Sequence, residues 1–573
     1  MNPGLHRSAM VLLMIVALSL VAGIGMREPM PPDEPRFVLA ARAMVESGDW
    51  LFPHRGRELY AEKPPMFMWM QAAAFELVRH WRVAFLLPSL LAAFATLWFV
   101  HDLARRLWNR RIGWVALFAL FACIQFGLQA KRAQIDMVLV AMTTASLWAL
   151  LRAVSSDPGR VRFALTGGFM AGLGAVTKGV GFLPMLLLPI AAVIRKVLAK
   201  NGSTLPRIAP MAWLAVSGFV LGALVWLAPM LWSVTHTDDP VLRGYANDLL
   251  FRQTGQRYAN PWHHQQPFWY FAEVIFTLWL PGALLLPWLV PAWWRRIRRG
   301  DVRILLPLAW GVAVLLFFSA SPGKREVYIF PALPAFCLAA APLLPALLKR
   351  VGVRRLFSGW LWLLVFAAAL GAVFFGLDPQ ARATALAAKR GLDPAVFAEL
   401  AAWFAAVAVA IALVAVFMRK RIGRAVVLAT ALLWFATGLG FAPALSDDSS
   451  ASAIMRDVGE HIGPDAELGL VAWPEQMLLQ ADRPVREFGF RNALENQWRE
   501  ASAWQREQPG DRWLLVEAQS LAACVDRTQV IDAGRSNRRA WLLVPAQAVT
   551  GDCGKAPAPD VAKSGQRLKG DST

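Results

Sequence analysis

The sequence predicts a polytopic α-helical membrane protein that ends in a small water-soluble α/β domain. Three observations carry this reading. Apolar runs of ~20 residues, long enough to cross a bilayer, recur from residue 11 to residue 442. Arginines cluster in every second gap between those runs, the pattern of cytoplasmic loops. From Ser446 onward the composition turns polar and short β-like segments replace the long apolar ones. The chain is 57% hydrophobic and only 17% charged, which excludes a large soluble enzyme. A net charge of +20 would suit a nucleic-acid partner. Its placement argues otherwise: Arg105, Arg106, Arg110 and Arg111 share one gap, and Arg295, Arg296, Arg298 and Arg299 another. The charge reports topology and no nucleic acid is expected.

The first run, Val11–Ile24, follows His6 and Arg7 and is not followed by a small-residue cleavage site. It reads as an uncleaved signal anchor with the N-terminus in the cytoplasm. Further runs lie near 83–100, 114–128, 134–151, 163–176, 180–194, 209–232, 268–292, 304–320, 326–347, 356–376, 397–418 and 425–442. Together they make about thirteen spans. An odd number places the C-terminal segment outside the cytoplasm, which in a bacterium means an inner-membrane protein with a periplasmic tail. The outer segment Gly376–Pro394 departs from the charge pattern by holding Arg382, Lys389 and Arg390.

Between the first two runs, residues 26–69 form a long outer loop in which the chemistry concentrates. Asp33 and Glu34 stand among Pro31, Pro32 and Pro35. Pro35 suits the first position of a helix, with Glu34 near its cap and Asp33 just before it. Phe37, Ala41, Met44 and Val45 then recur at helical spacing, as in a helix lying on a bilayer surface, and Gly48 stops it. The chain returns through Pro53 and His54 to Glu62, Lys63, Pro64 and Pro65.

The tail divides into residues 446–553, sized for a small α/β domain, and residues 554–573, a polar stretch expected to be disordered. ELGLVAW, DRWLLVEA and RAWLLVPA read as strands. Cys524 and Cys553 are the only cysteines there, and a periplasmic location predicts a disulfide between them. Cys123 and Cys337 fall in apolar spans and read as core residues.

Three blocks of the first loop, PDEPRF, SGDWLFPH and YAEKPPMFMW, resemble in order and spacing the first periplasmic loop of the aminoarabinose transferase family. Those are membrane glycosyltransferases of the C-type fold, more distantly related to protein mannosyltransferases. Thr177-Lys178-Gly179 is similar to a TKG element of the family. Gln256-Arg257-Tyr258 with Gln266-Pro267-Phe268-Trp269-Tyr270 is similar to its QRF…PFWYY loop. Phe317-Phe318-Ser319 with Lys324 and Tyr328 resembles its FFS…GKLPTY block. The last block departs, since Lys-Arg-Glu-Val-Tyr stands in place of Lys-Leu-Pro-Thr-Tyr.

The resemblance implies transfer of a sugar from an undecaprenyl-phosphate donor to lipid A at the outer membrane surface, the sugar being 4-amino-4-deoxy-L-arabinose. Another polyprenyl-linked sugar moved to a glycan or protein hydroxyl is the enzymatic alternative, and a lipid-linked-sugar transporter the alternative of another class. Ionisable residues at the outer ends of spans, rather than at mid-membrane, favour surface chemistry. The resemblance places Lys63, Arg257 and Tyr328 on the donor phosphate, with Arg36, Lys178 and Lys324 completing the cationic set. Cations aimed at a phosphate stabilise it as a leaving group. Each taken alone also fits a lipid-headgroup anchor. Asp33 is the expected general base or acceptor-positioning group, supported by Glu34 and by Asp136, which is expected to orient Arg36 or Lys63. The resemblance also raises a divalent metal held through Glu62. One glutamate is not a site, so no cofactor is assigned.

Overall fold

The computed structural model describes residues 3–155, 157–199, 206–250, 265–377, 385, 392–551 and 553. It divides into two compact units. The first comprises Met1–His54, Leu59–Ala381 and Pro394–Leu445; the second comprises Arg55–Glu58, Arg382–Asp393 and Ser446–Thr573.

The first unit is helical, and the chain is a multi-pass membrane protein. Among the described residues eight helices are long and apolar enough to cross a membrane, or up to ten if two bent pairs each count as one span. This is fewer than the thirteen the apolar runs predict, and the reasons are local. Helices Arg7–Val21 and Phe330–Ala340 are short for a span. The second is broken beyond its end by Pro342 and Pro345, which remove backbone donors. The pair Arg110–Ala122 and Ile124–Ala130 bends by 75°, and the pair Tyr270–Leu278 and Gly282–Arg298 by 102°. One apolar helix was not expected at all: Met66–Val78 rises directly from Pro64 and Pro65.

Large apolar side chains such as Leu91, Trp98, Trp213, Trp232 and Phe366 are exposed on the long helices, as lipid-facing residues are. Inside, helices Arg160–Thr177 and Ala209–His236 cross through small residues. A Cβ on Gly168 would lie 1.8 Å from the Ala215 carbonyl oxygen, and one on Gly222 2.3 Å from that of Phe169. Only glycine permits this approach, the usual means of joining helices where lipid supplies no hydrophobic drive.

The second unit holds a five-stranded sheet. A short hairpin, β1 (His54–Arg55) and β2 (Glu58–Leu59), contributes its tip to this unit. The sheet itself comprises β3 (Glu467–Val471), β4 (Val485–Glu487), β5 (Arg512–Glu517), β6 (Ile531–Ser536) and β7 (Arg539–Val544), in the order β4-β3-β5-β7-β6. β3 lies parallel to β4 and β5, and β7 antiparallel to β5 and β6. β3, β5 and β7 are the three strands read from the sequence. Helix Leu494–Glu507 covers the sheet with Trp498 and Ala501, which pack with Phe488, Leu514 and Val544. Cys524 and Cys553 form the expected disulfide, with a Cα separation of 5.2 Å. Residues 554–573 lie outside the described residues.

Candidate active site

Helix Glu34–Ser47 forms much as its prolines and Gly48 predict, one residue earlier. Asp33 is the N-cap, Pro35 lies in the first turn, and Gly48 closes the helix at φ 76°, a left-handed conformation that glycine adopts without penalty. The helix packs on Met66–Val78 through Phe37, whose ring meets Phe67 edge-on at 5.3 Å. Asp33 makes no side-chain cap bond. Its Oδ2 instead accepts from Gln134 Nε2 at 2.9 Å and lies 3.4 Å from Arg325 Nη2.

Glu34, expected to support Asp33, is held by four donors. Arg27 grips both its oxygens, at 2.6 and 2.7 Å, and the backbone N–H groups of Met30 and Ala133 donate to it at 2.8 and 2.9 Å. Only 5% exposed, this carboxylate is fully committed. It ties the first loop to the turn before helix Ile135–Ala153, from which Gln134 reaches Asp33. Glu34 therefore positions the loop that carries Asp33. Lys131, in the same turn, donates to the carbonyl oxygens of Ala22 at 2.7 Å and Leu20 at 3.4 Å. Burial and the nearby Arg27 charge lower its pKa to about 8.

Asp136, in the first turn of helix Ile135–Ala153, does not orient Arg36 or Lys63 as expected. Its Oδ1 accepts from Lys178 Nζ at 2.8 Å. Lys178 stands where helix Arg160–Thr177 ends and the 3₁₀ turn Gly179–Leu186 begins. Its ammonium also lies 4.9 Å from the centre of the Tyr328 ring. Arg325 and Tyr328 belong to the loop after helix Val302–Ala320. Burial pulls the Arg325 pKa down, but Asp33, Glu326, Asp136 and Tyr328 together hold it above its ordinary value. Asp33, Gln134, Asp136, Lys178, Arg325 and Tyr328 thus converge from four separated stretches of chain.

Arg36, Lys63 and Lys324 have other partners among the described residues. Arg36 faces Glu62 at 3.5 Å, and Lys63 Nζ donates to the Glu62 carbonyl oxygen at 2.8 Å. Lys324, 4% exposed, spends its ammonium on the Gln266 carbonyl oxygen at 3.0 Å, and burial lowers its pKa. It fastens its loop rather than joining the cluster. Arg257 lies outside the described residues, as do Arg252, His263, His264, Arg382, Lys389 and Arg390.

The metal expectation fares poorly on chemistry. Glu62 supplies one carboxylate, already opposite Arg36, and among the described residues no group of three or more acids, histidines and cysteines gathers to hold an ion. The described donors do not by themselves make a metal site.

One residue of the cluster escaped sequence reading: Gln134 precedes the flagged Asp136 by two positions but shows no motif of its own. Arg325 is legible as an outer-loop cation beside Lys324, though it departs from the family block.

Residues 62–232, which include Lys63, Asp136 and Lys178, match the family model of dolichyl-phosphate-mannose-protein mannosyltransferases. The crystal structure of ArnT from Cupriavidus metallidurans bound to undecaprenyl phosphate matches with a TM-score of 0.72, covering 95% of this chain and 98% of that one at 21% identity. The chain shares the C-type glycosyltransferase fold of that structure. Its apo form matches similarly, at a TM-score of 0.70. Among sequence relatives, undecaprenyl phosphate-alpha-4-amino-4-deoxy-L-arabinose arabinosyl transferase 2 of Sodalis glossinidius is 29% identical over 63% of this chain. Transferase 1 of Pseudomonas fluorescens is 31% identical over 53%. The match spans 64% of the Sodalis protein, just under two thirds of its length, and 51% of the Pseudomonas one.

Proposed function

We propose that the chain is a membrane glycosyltransferase that moves a sugar from an undecaprenyl-phosphate donor to lipid A or another acceptor at the outer face of a bacterial inner membrane. The relatives' names point to 4-amino-4-deoxy-L-arabinose as the sugar. The observation that carries the reading is the convergence of the Asp33 carboxylate with Lys178, Arg325 and Tyr328 in a fold shared with a protein solved on undecaprenyl phosphate.

In the reaction the acceptor oxygen attacks the anomeric carbon while the bond from that carbon to the phosphate oxygen breaks, and undecaprenyl phosphate departs. Lys178 and Tyr328 face the departing phosphate, with Lys63 and Arg257 as further ligands by resemblance. Positive charge there lowers the cost of the leaving group's charge. A sugar or protein hydroxyl gives its proton to Asp33. A phosphate acceptor, already anionic near neutral pH, needs Asp33 only for placement.

The proposed topology has about thirteen spans, the N-terminus in the cytoplasm and the second unit in the periplasm. The disulfide supports that compartment, since such bonds persist where the environment is oxidising. Arg325 and Glu326, foreign to the family block, support a different sugar as the second reading.

The test is transfer by purified chain. Undecaprenyl-phosphate aminoarabinose and lipid A should yield aminoarabinose-modified lipid A by mass spectrometry, and Asp33→Asn should yield none while remaining folded in detergent. Near-normal turnover by that variant removes Asp33 from its role. Failure to release undecaprenyl phosphate from any sugar donor overturns the assignment.

A further inference from the structure

Arg325 holds its partner loosely. Its Nη2 is 3.4 Å from Asp33 Oδ2, long for a charge-assisted bond, which is normally about 2.7–2.9 Å. Among the described residues this is the only hydrogen bond its guanidinium makes, although the group carries five N–H donors in a planar fork. The side chain is 31% exposed and Asp33 17%, so the pair is open to a ligand. Around it lie Asp136 and Tyr328, and both of these touch Lys178. The guanidinium therefore stands between the carboxylate read as base and the group read as phosphate cradle.

We propose that Arg325 is a ligand of the donor phosphate and that it exchanges Asp33 for that phosphate when donor binds. This rests on the glycosyltransferase reading. The fork of an arginine matches a phosphate bidentately, as a single oxygen at 3.4 Å does not. A phosphate monoester also carries more negative charge than a carboxylate, about −1.5 to −2 when not esterified further. The sugar-linked donor carries one charge and the released undecaprenyl phosphate up to two, so Arg325 grips the product end of the reaction most firmly. Once the guanidinium has moved, Asp33 keeps Gln134 as its partner and faces the acceptor without a cation beside it. Donor binding thereby prepares the base, and an empty site keeps it masked.

Binding of undecaprenyl phosphate to the purified full-length chain, followed by calorimetry, tests this. Arg325→Leu should weaken binding by about tenfold or more, as loss of a charge-assisted contact does. Arg325→Lys, which keeps charge but not the fork, should fall between that variant and wild type. Asp33→Asn should tighten binding by about two- to fivefold, because a competing anion is gone and the pair it breaks is partly exposed. A folded Arg325→Leu chain that binds like wild type removes Arg325 from the phosphate. Unchanged or weaker binding by Asp33→Asn overturns the exchange, and does so even if Arg325→Leu fails to fold. If wild type binds no polyprenyl phosphate, this proposal and the glycosyltransferase reading fall together, whereas binding by wild type with flat variants sinks the proposal alone.

Discussion

Lys178 Nζ lies 2.8 Å from Asp136 Oδ1, and the two side chains are 16% and 9% exposed. A pair so enclosed is held less by its own attraction than by the cost of leaving either charge alone. The same ammonium sits over the Tyr328 ring, so Asp136 fixes the cation that would meet the donor phosphate.

Lys178→Met should accordingly lose stability by about 3–5 kcal/mol, the usual penalty for an orphaned buried charge. Lys178→Met combined with Asp136→Asn should recover much of it, because the uncompensated carboxylate is gone. Turnover should stay low in both, since neither restores a cation. Detergent melting and single-turnover assays separate the two effects. Recovery of turnover in the double variant would make the pair purely structural.

Much of this site was legible in short motifs. Asp33, Lys178 and Tyr328 each sit in a block that resembles one of the family's. What sequence could not show was pairing. Asp136 reaches Lys178 across 42 positions and Arg325 reaches Asp33 across 292, and no periodicity encodes such contacts. The partners of Glu34 were hidden for the same reason. An acid beside a reactive acid looks alike whether it faces substrate or is buried against Arg27. In the fold, the helix Met66–Val78 was missed because it is only 13 residues long, short for a span. The apolar runs number about thirteen against eight to ten sufficiently long helices among the described residues, because a bend can break a helix without interrupting its hydrophobicity.

Glu34 gives the second prediction. With four donors on a buried carboxylate, Glu34→Ala strands the Arg27 guanidinium and two backbone N–H groups. The expected loss is again about 3–5 kcal/mol. Glu34→Gln should cost less, because its amide oxygen still accepts, but it offers Arg27 no second acceptor. A melting shift in Glu34→Ala larger than in Asp33→Asn is the check. Equal, small shifts would mean that the clamp does not hold the loop.

The disulfide closes a segment 29 residues long. In the chain-entropy account it stabilises the second unit by about 3–4 kcal/mol. Cys524→Ser with Cys553→Ser should lower the unfolding midpoint of this unit in urea, with wild type in reductant falling to the same value. Thiol labelling after denaturation should find two reactive cysteines, Cys123 and Cys337, before reduction and four after. Four before reduction would reject the bond.

The tip of the β1–β2 hairpin supplies the last prediction. Arg57 N–H donates to Glu487 Oε1 at 2.8 Å and its guanidinium to the Glu487 carbonyl oxygen at 2.6 Å. Arg55, 3% exposed, pairs with Glu475 at 3.3 Å and stacks over Phe490 at 3.6 Å. Between them Gly56 turns at φ 61°, where an added Cβ would lie 2.9 Å from Glu487 Oε1. Gly56→Ala thus combines left-handed strain, about 1–2 kcal/mol for a residue with a Cβ, with a collision against a buried carboxylate. Trypsin cuts after arginine, and in the folded protein Arg55 is too enclosed to be reached. Gly56→Ala and Glu475→Gln should both open Arg55 and Arg57 to cleavage several-fold faster than wild type, while fragments from the helical unit appear no sooner. Glu487→Ala should do the same and also free Gly489, whose N–H donates to that carboxylate at 2.6 Å. If cleavage at Arg55 stays as slow in all three variants as in wild type, the tip is held by something other than these carboxylates.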